Sequence, residues 1–559
     1  MKKIFSIISI FTAALCSLAL ISCEDLLKEE SHTDIEKDGY MKDTNESEVV
    51  LLGAYRRTVE QGTYAYTLSC LLNLGTDEAK SEGKESTNWR EIPTNSHNPS
   101  NAQIAQTWQH LYKMVYSAND FIEQQSAAMV KYNYGEVQTR LAEVFIAEAR
   151  ALRAMAYFEL VRRFNDVILM KTTADSYKPN HEFVQADPNE VYAFIEADLK
   201  HAATVLPWAD ADDIRSSNAY RFSRGAALGL LAKVYATWAG YPLYKSEKWG
   251  DALSAARQVV ESGHHSLLPD FEDLWENTCN GVWDSRESLI EISFYAPTVT
   301  GTSSEDPVGR IGKWNGVRTT SVAGVRGRNA GNWRVVVPFT VEWEKQTGDK
   351  RFKLSIADYC HGYSSKSFST DEDVYYFDLV SNPTEEKLLK QRENFTPAKW
   401  DTEKYVLPHN YLINDDNSNI NWYFLRYADV LLLYAEALVE SGGSAAEALE
   451  AVNIVRRRAY GDTDHDLKGL SGDDLRQAIR DERKYELAFE GHRKQDLIRW
   501  GIYYETIVQT AIDVANLYDG GTFTMRENTV KGRHEMLPIP QREIDLMENV
   551  HQNDWWAEL

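Results

Sequence analysis

The feature that most constrains this chain is a set of helical segments arranged in consecutive pairs. Around residues 137–163, Leu141, Phe145, Ala149, Leu152, Ala156 and Leu160 recur at steps of three and four, while Glu148, Arg150 and Arg153 lie off that stripe. Such spacing puts the apolar side chains on one helical face. Segment 223–239 carries Ala and Gly on its apolar face, and 424–441 repeats the theme with Leu425, Ala428, Leu432, Ala435 and Val439. Each is followed, after a short break, by another helical run, at 188–206, 247–262 and 444–460. Alanines at the crossing points let backbones approach closely, so such pairs stack on one another.

Stacked helix pairs of this length are the mark of tetratricopeptide-like repeats, although the period is loose and no pair carries a full consensus. An irregular helical bundle is the alternative. Residues 75–104 are rich in Asn, Ser, Thr and Pro, which is loop composition. Residues 269–423 hold short strand-like runs, Leu289–Phe294 and Arg334–Thr340, between Gly, Asn and Ser clusters. At 559 residues the chain exceeds the size of a single core. The predicted fold is mainly α: a tetratricopeptide-like helical-repeat superhelix with a large irregular, partly β inserted lobe. The division expected is a signal segment at 1–22, a tether at 23–45, a helical portion at 46–268, the lobe at 269–423 and a second helical portion at 424–559.

The amino terminus reads as a secretory signal. Lys2-Lys3 precede an uncharged apolar stretch from Ile4 to Ile21, and Leu20-Ile21-Ser22-Cys23 is followed by Glu24-Asp25. This resembles the lipobox of bacterial lipoproteins, in which the cysteine is acylated. An uncleaved membrane helix is the competing reading, disfavoured by the small residue before Cys23 and the polar run after it. Stable anchoring requires more than one acyl chain. A formal charge of −24 repels nucleic acid and anionic membrane surfaces alike, so attachment has to come from lipid rather than from a basic patch. The expected location is the cell-surface face of an outer membrane. Cys70, Cys279 and Cys360 allow at most one disulfide and make no convincing metal site.

The carboxy-terminal third carries an ordered set of motifs. Arg426-Tyr427-Ala428-Asp429 runs into Leu431-Leu432-Leu433-Tyr434-Ala435-Glu436-Ala437, and Asn453-Ile454-Val455-Arg456-Arg457-Arg458 follows. Then come Asp481-Glu482-Arg483-Lys484-Tyr485-Glu486-Leu487-Ala488-Phe489-Glu490-Gly491-His492-Arg493, Asp496-Leu497-Ile498-Arg499-Trp500-Gly501 and Leu537-Pro538-Ile539-Pro540. With the lipobox, the set resembles the SusD/RagB family of outer-membrane nutrient-binding lipoproteins. The resemblance implies a tetratricopeptide-type superhelix packed against a SusC-like, TonB-dependent barrel as partner, with ligand held by variable loops. It carries no binding residues across.

Motifs for catalysis are missing. No HExxH, GxSxG or GxxxxGK[ST] occurs. Glu482, Glu486 and Glu490 share a helical face; the expected account is an ion network with Arg483, Arg493 or the Arg456–Arg458 cluster rather than a metal or acid–base row. Gly491 suits a left-handed position ending that helix. Asp462, Asp464 and Asp466 faintly resemble a calcium loop, but Leu467 stands where glycine is wanted. His264-His265 reads as a polar turn. No metal, cofactor or enzymatic activity is expected.

Sugars present apolar C–H faces ringed by hydroxyls, so their binders need exposed aromatic rings beside planar amides and guanidiniums. Asn88-Trp89-Arg90 offers that combination in the first loop, and Trp283, Tyr295, Trp314-Asn315 and Trp333 offer it in the lobe. From Pro307 to Val341 there is no Asp or Glu, while Arg310, Lys313, Arg318, Arg326, Arg328 and Arg334 occur. In so acidic a chain this points to an acidic or sulfated glycan, the alternative being that these arginines pair with surplus carboxylates. The expected function is glycan capture for the transporter. A peptide-binding member of the same fold and a surface glycoside hydrolase are the rivals.

Overall fold

The computed structural model describes residues 39–83, 88–211, 215–295, 308–362, 374–378 and 382–557. Cys23, the signal segment and most of the expected tether lie outside these, as does the side chain of Asn88. The described helices of eight residues or more are α1 (Thr44–Tyr55), α2 (Ala102–Lys131), α3 (Glu136–Phe164), α4 (Pro188–Val205), α5 (Arg224–Ala239) and α6 (Lys248–Val260), followed by α7 (Glu272–Asn280), α8 (Val337–Glu344), α9 (Tyr427–Glu440), α10 (Ala445–Tyr460), α11 (Gly472–Glu486) and α12 (Tyr503–Leu517). Their starts follow from local chemistry. Asp187 caps α4 ahead of Pro188, and the side chains of Ser223 and Ser444 accept backbone N–H groups at the starts of α5 and α10.

The three expected pairs are present as α3–α4, α5–α6 and α9–α10, and they stack. α3 packs between α2 and α4, α4 against α5, α5 against α6, and α6 against α9, which also meets α10 and α11. The fold is therefore mainly α with stacked helix pairs, as expected. Small residues make the close approaches: a Cβ on Gly229 of α5 would stand 2.9 Å from Leu425 Cδ2, and one on Gly240 would stand 2.3 Å from the Arg499 carbonyl oxygen.

The described strands are short: β1 (Ala79–Ser81) lies in the first loop, β2 (Ser288–Ile292), β3 (Trp333–Val335), β4 (Ile356–Ala357), β5 (Tyr359–His361), β6 (Val374–Tyr376) and β7 (Thr396–Pro397) punctuate the lobe, and β8 (Trp422–Arg426) ends it. They form four antiparallel two-stranded ribbons, β1–β3, β2–β8, β4–β7 and β5–β6. The β2–β8 ribbon, with Ser288 opposite Arg426 and Ile292 opposite Trp422, closes the neck through which the chain leaves and rejoins the helical stack.

Three expectations need correction. Arg334–Thr340 is strand only as far as Val335, because Pro338 sits in the first turn of α8, where its fixed φ suits a helix. Leu425 lies on β8, not on the helix that starts at Tyr427; the run Trp422–Arg426 is wholly buried, so its apolar character extends the helical pattern falsely. The longest helix, α2 with 30 residues, had no counterpart in the sequence reading.

The glutamate row is an ion network that includes the expected Arg456 and Arg458 together with partners from farther away, but α11 ends at Glu486, so Glu490 and Gly491 lie in the turn after it. Arg351 reaches Glu482 at 2.7 Å and Glu486 at 2.9 Å; Arg426 reaches Glu287 at 3.0 Å, Glu486 at 2.5 Å and Glu490 at 2.6 Å. Arg456, Arg458 and Lys399 complete it. Arg483 instead holds Asp429 and Asp496, and Arg493 holds Asp77. Burial alone would raise Glu486, but the Arg458, Arg426 and Arg351 guanidiniums outweigh it and hold the carboxyl well below its ordinary range. Gly491 has φ +83°, and a Cβ there would meet Asn73 Nδ2 at 2.4 Å. Asp466 is bound by Arg457, and Asp462 faces His465, so the loop after α10 is tied by side chains. Cys70, Cys279 and Cys360 are free and buried.

Candidate functional site

The β1–β3 ribbon brings the first loop to the inserted lobe, pairing Ser81 with Trp333. Beyond β1 the chain makes a one-turn helix, Asn88–Glu91, that carries Trp89 and Arg90. From the lobe, a turn at Arg310–Asn315 carries Trp314. Its amide donates to the Arg310 carbonyl at 2.9 Å, and the Asn315 Oδ1 accepts from the Gly312 amide at 2.7 Å. Gly312 has φ +78°, and a Cβ there would meet Ile420 Cδ1 at 2.7 Å, so the turn requires glycine.

The two loops meet ring against ring. Trp89 and Trp314 stand edge to face with centroids 4.9 Å apart, and Trp314 meets Tyr66 in the same manner at 4.7 Å. The Arg90 guanidinium lies 4.4 Å from the Trp89 centroid; that of Arg310 lies 4.3 Å from Tyr66 and 5.4 Å from Trp314. The result is a ladder, Arg90–Trp89–Trp314–Tyr66–Arg310, with T-shaped and cation–π contacts at each step. Both tryptophans remain partly exposed, while Tyr66 is buried.

This ladder borders a cleft of about 580 Å³, whose other walls include Thr319, Thr320, Asn329, Asn332, Glu82 and Asp416. Arg318 and Arg328 also face it. Glu82 accepts from Arg334 Nη2 at 2.8 Å and lies 4.0 Å from Arg318. Arg328 is exposed, and its amide, not its guanidinium, donates to Asp415 Oδ1 at 2.6 Å. The rest of the basic run is structural. Arg326 Nε donates to the Thr320 carbonyl at 3.0 Å, and burial pushes the Lys313 ammonium down to about 8 with the Tyr411 ring 5.3 Å away. Flat rings, amides and guanidiniums around one groove can stack on a sugar face and hydrogen-bond its rim hydroxyls or an acidic substituent.

The sequence-nominated residues divide accordingly. Trp89, Arg90, Arg310 and Trp314 come together. Trp333 does not: it is 1% exposed, and its Nε1 donates to the Cys70 carbonyl at 2.8 Å, so it is a core residue. Asn315 is fully buried and spent on closing its turn. Trp283 pairs with Tyr220 at 6.3 Å, and Tyr220 lines a separate, largely apolar cavity of about 370 Å³. Tyr295 is 65% exposed and is not among the residues of the cleft. Thr320 and Tyr66, the buried ring of the ladder, were missed, while Thr319 and Asn329 are themselves buried and only back the cleft wall; nothing local distinguishes Tyr66 from the other tyrosines of the chain. Among the described residues, no group of His, Cys, Asp and Glu could hold a metal, and no helix is long and apolar enough to cross a membrane.

Residues 319–556 match the model described as the SusD family, and residues 34–236 match one described as starch-binding associating with outer membrane. SusD-like protein P2 of Formosa agariphila is 26% identical over 551 residues, spanning 96% of this chain and 97% of its own. A solved SusD homolog from Bacteroides thetaiotaomicron is 50% identical, with 94% of this chain and 99% of that one covered and a TM-score of 0.88. Surface glycan-binding protein A from Bacteroides thetaiotaomicron, in complex with laminarihexaose, shares the fold at 18% identity, covering 91% of this chain and 99% of that one with a TM-score of 0.67.

Proposed function

The chain belongs to the SusD/RagB family, and from that premise we propose that it is a non-catalytic surface lipoprotein that captures oligosaccharides and passes them to a SusC-like, TonB-dependent transporter. The observation that carries this reading is the Arg90–Trp89–Trp314–Tyr66–Arg310 ladder beside an open cleft. The similar structure solved in complex with laminarihexaose supports the same class of ligand. Acylation at Cys23 would hold the protein at the outer membrane, in keeping with the matched model associated with that membrane.

Within that class, the cleft favours a glycan bearing carboxylate or sulfate groups. Arg328 is exposed and faces the cleft with Arg318 and Arg90, whereas Glu82 is already engaged by Arg334. Arg90, Arg318 and Arg328 outnumber Glu82 and Asp416 in the lining, so the groove stays net positive on a chain of formal charge −24 and attracts anionic sugar locally while the rest of the surface repels it.

The test is a glycan array followed by calorimetric titration with laminarihexaose and with chondroitin sulfate and polygalacturonate oligosaccharides. Anionic ligands should bind more tightly, weaken as salt is raised, and lose roughly five- to tenfold in affinity with Arg328→Ala, the equivalent of about 1.0–1.4 kcal/mol. Binding confined to neutral sugars would remove the charge preference. Affinity for peptides that survives both Trp89→Ala and Trp314→Ala would overturn glycan capture, and release of new reducing ends by the purified protein would overturn the non-catalytic role.

A further inference from the structure

A second and larger cavity, of about 800 Å³, opens beside the β5–β6 ribbon. Its lining mixes aromatic and polar groups in the manner of the ladder cleft: Tyr359, Tyr376 and Phe352 on one hand, Lys353, Asp358 and Gln391 on the other. Tyr376 is 45% exposed, and its ring centroid lies 5.8 Å from that of Tyr359. An exposed tyrosine of this kind offers an apolar face to a ligand and a hydroxyl to water.

The inner wall is rigidly set. Tyr359 Oη donates to Asp401 Oδ2 at 2.8 Å, and His361 Nε2 lies 3.0 Å from both oxygens of the same carboxylate. Asp401 is fully buried and also caps the helix Thr402–Tyr405, accepting from the Glu403 and Lys404 amides. One buried carboxylate thus fixes both rings and the neighbouring turn, so their orientation is settled before any ligand arrives.

The two cavities share a wall. The His361 amide donates to the Arg318 carbonyl at 2.9 Å, and the Thr320 amide donates to the His361 carbonyl at 3.0 Å. Arg318, Thr319 and Thr320 line the ladder cleft, while Tyr359 and His361 line the second cavity. The partition is therefore a single pair of hydrogen-bonded backbone segments, so the two cavities are neighbours on either side of it.

We propose that the Tyr359–Tyr376 cavity is a second saccharide subsite, taking the part of an oligosaccharide that extends beyond the residues seated on Trp89 and Trp314. The subsite rests on the glycan-capture reading above and adds a length requirement to it. Short oligosaccharides engage only the ladder cleft; longer ones engage both cavities and bind more tightly through the linkage.

The experiment titrates size ladders of laminari-oligosaccharides and chondroitin sulfate oligosaccharides, from disaccharide to decasaccharide, into the mature chain by calorimetry. Wild type should gain tenfold or more in affinity between the short and long ends of the ladder it binds. Tyr376→Ala should abolish that gain while leaving the shortest binders unchanged, Tyr376→Phe should preserve it, and Trp314→Ala should weaken every length. Affinity independent of length, or Tyr376→Ala matching wild type throughout, overturns the subsite and leaves glycan capture standing. If no member of either ladder binds wild type while another cargo does, glycan capture itself fails and the subsite falls with it.

Discussion

Trp314 and Trp333 stand in similar sequence surroundings, each flanked by asparagine and a basic residue, yet one borders the cleft and the other fills the core. Substitution separates the two roles. Trp333→Ala removes a buried ring and its hydrogen bond to Cys70, and should cost about 3–5 kcal/mol, seen as a clear fall in Tm. Trp89→Ala and Trp314→Ala should instead weaken oligosaccharide binding roughly tenfold or more, about 1.4 kcal/mol, with much smaller effects on Tm. A second residue-scale expectation concerns Glu78. Burial, with the Asp77 charge beside it, raises its carboxyl to about 8; Oε1 accepts from the Phe489 amide and Oε2 has no partner. The folded state therefore holds a proton that the unfolded chain has released above about pH 4.3, and stability falls as pH rises from there to about 8. Glu78→Gln keeps the acceptor without the charge. It should raise stability by on the order of 1–2 kcal/mol at pH 8 and little at pH 5, as read from chemical denaturation.

At the scale of elements, the buried network of Arg351, Arg426, Glu482, Glu486 and Glu490 ties α11 to the lobe and to β8. Removing one member strands its partners in a dry interior, so Arg426→Met should destabilise by about 3–5 kcal/mol, measured as a lowered denaturation midpoint. Because the guanidiniums depress Glu486, its contribution is present above the ordinary carboxylate range and is lost as pH falls through the folded value. Glu482 and Glu486, one turn apart on α11, and their partners Arg456 and Arg458 were legible, but Glu490 lies past the helix end and its partner Arg426, like Arg351, was not foreseen. Arg351 and Arg426 lie far away in sequence, and no periodicity links them to α11. The paired helices were legible because an apolar stripe at steps of three and four survives wherever one face is buried. α2 was overlooked although Asn101 caps it and Ile104, Trp108, Leu111 and Val115 follow the same rule. Its many glutamines and its serines dilute the apolar stripe and make it resemble the polar loop that precedes it.

At the scale of the molecule, attachment should depend on one thiol. Cys23→Ser is expected to move the protein from the detergent-extracted membrane fraction to the soluble one, with the mass of the acyl groups lost from the mature chain; unchanged partitioning would count against the lipid anchor. The ladder shows how far a sequence can go toward a site of this kind. Trp89 and Trp314 could be nominated from their polar, asparagine- and glycine-rich neighbours, but Tyr66, buried behind Trp314, enters only through the fold, which stacks rings from three separate stretches of chain.

The β2–β8 neck bears on how much of the chain between its strands can change. Ser288 and Arg426 face each other across one ribbon, with α6 meeting α9 behind it, yet the stretch between them is also packed on the stack through β1–β3, α8 against α12, and Arg351 against Glu482 and Glu486. Closing a loop grows dearer only logarithmically, by about 0.6 kcal/mol for each doubling of its length. Exposed turns within that stretch can therefore be lengthened or exchanged with little penalty to the scaffold, whereas its buried anchors, Trp333 and Arg351 among them, cannot.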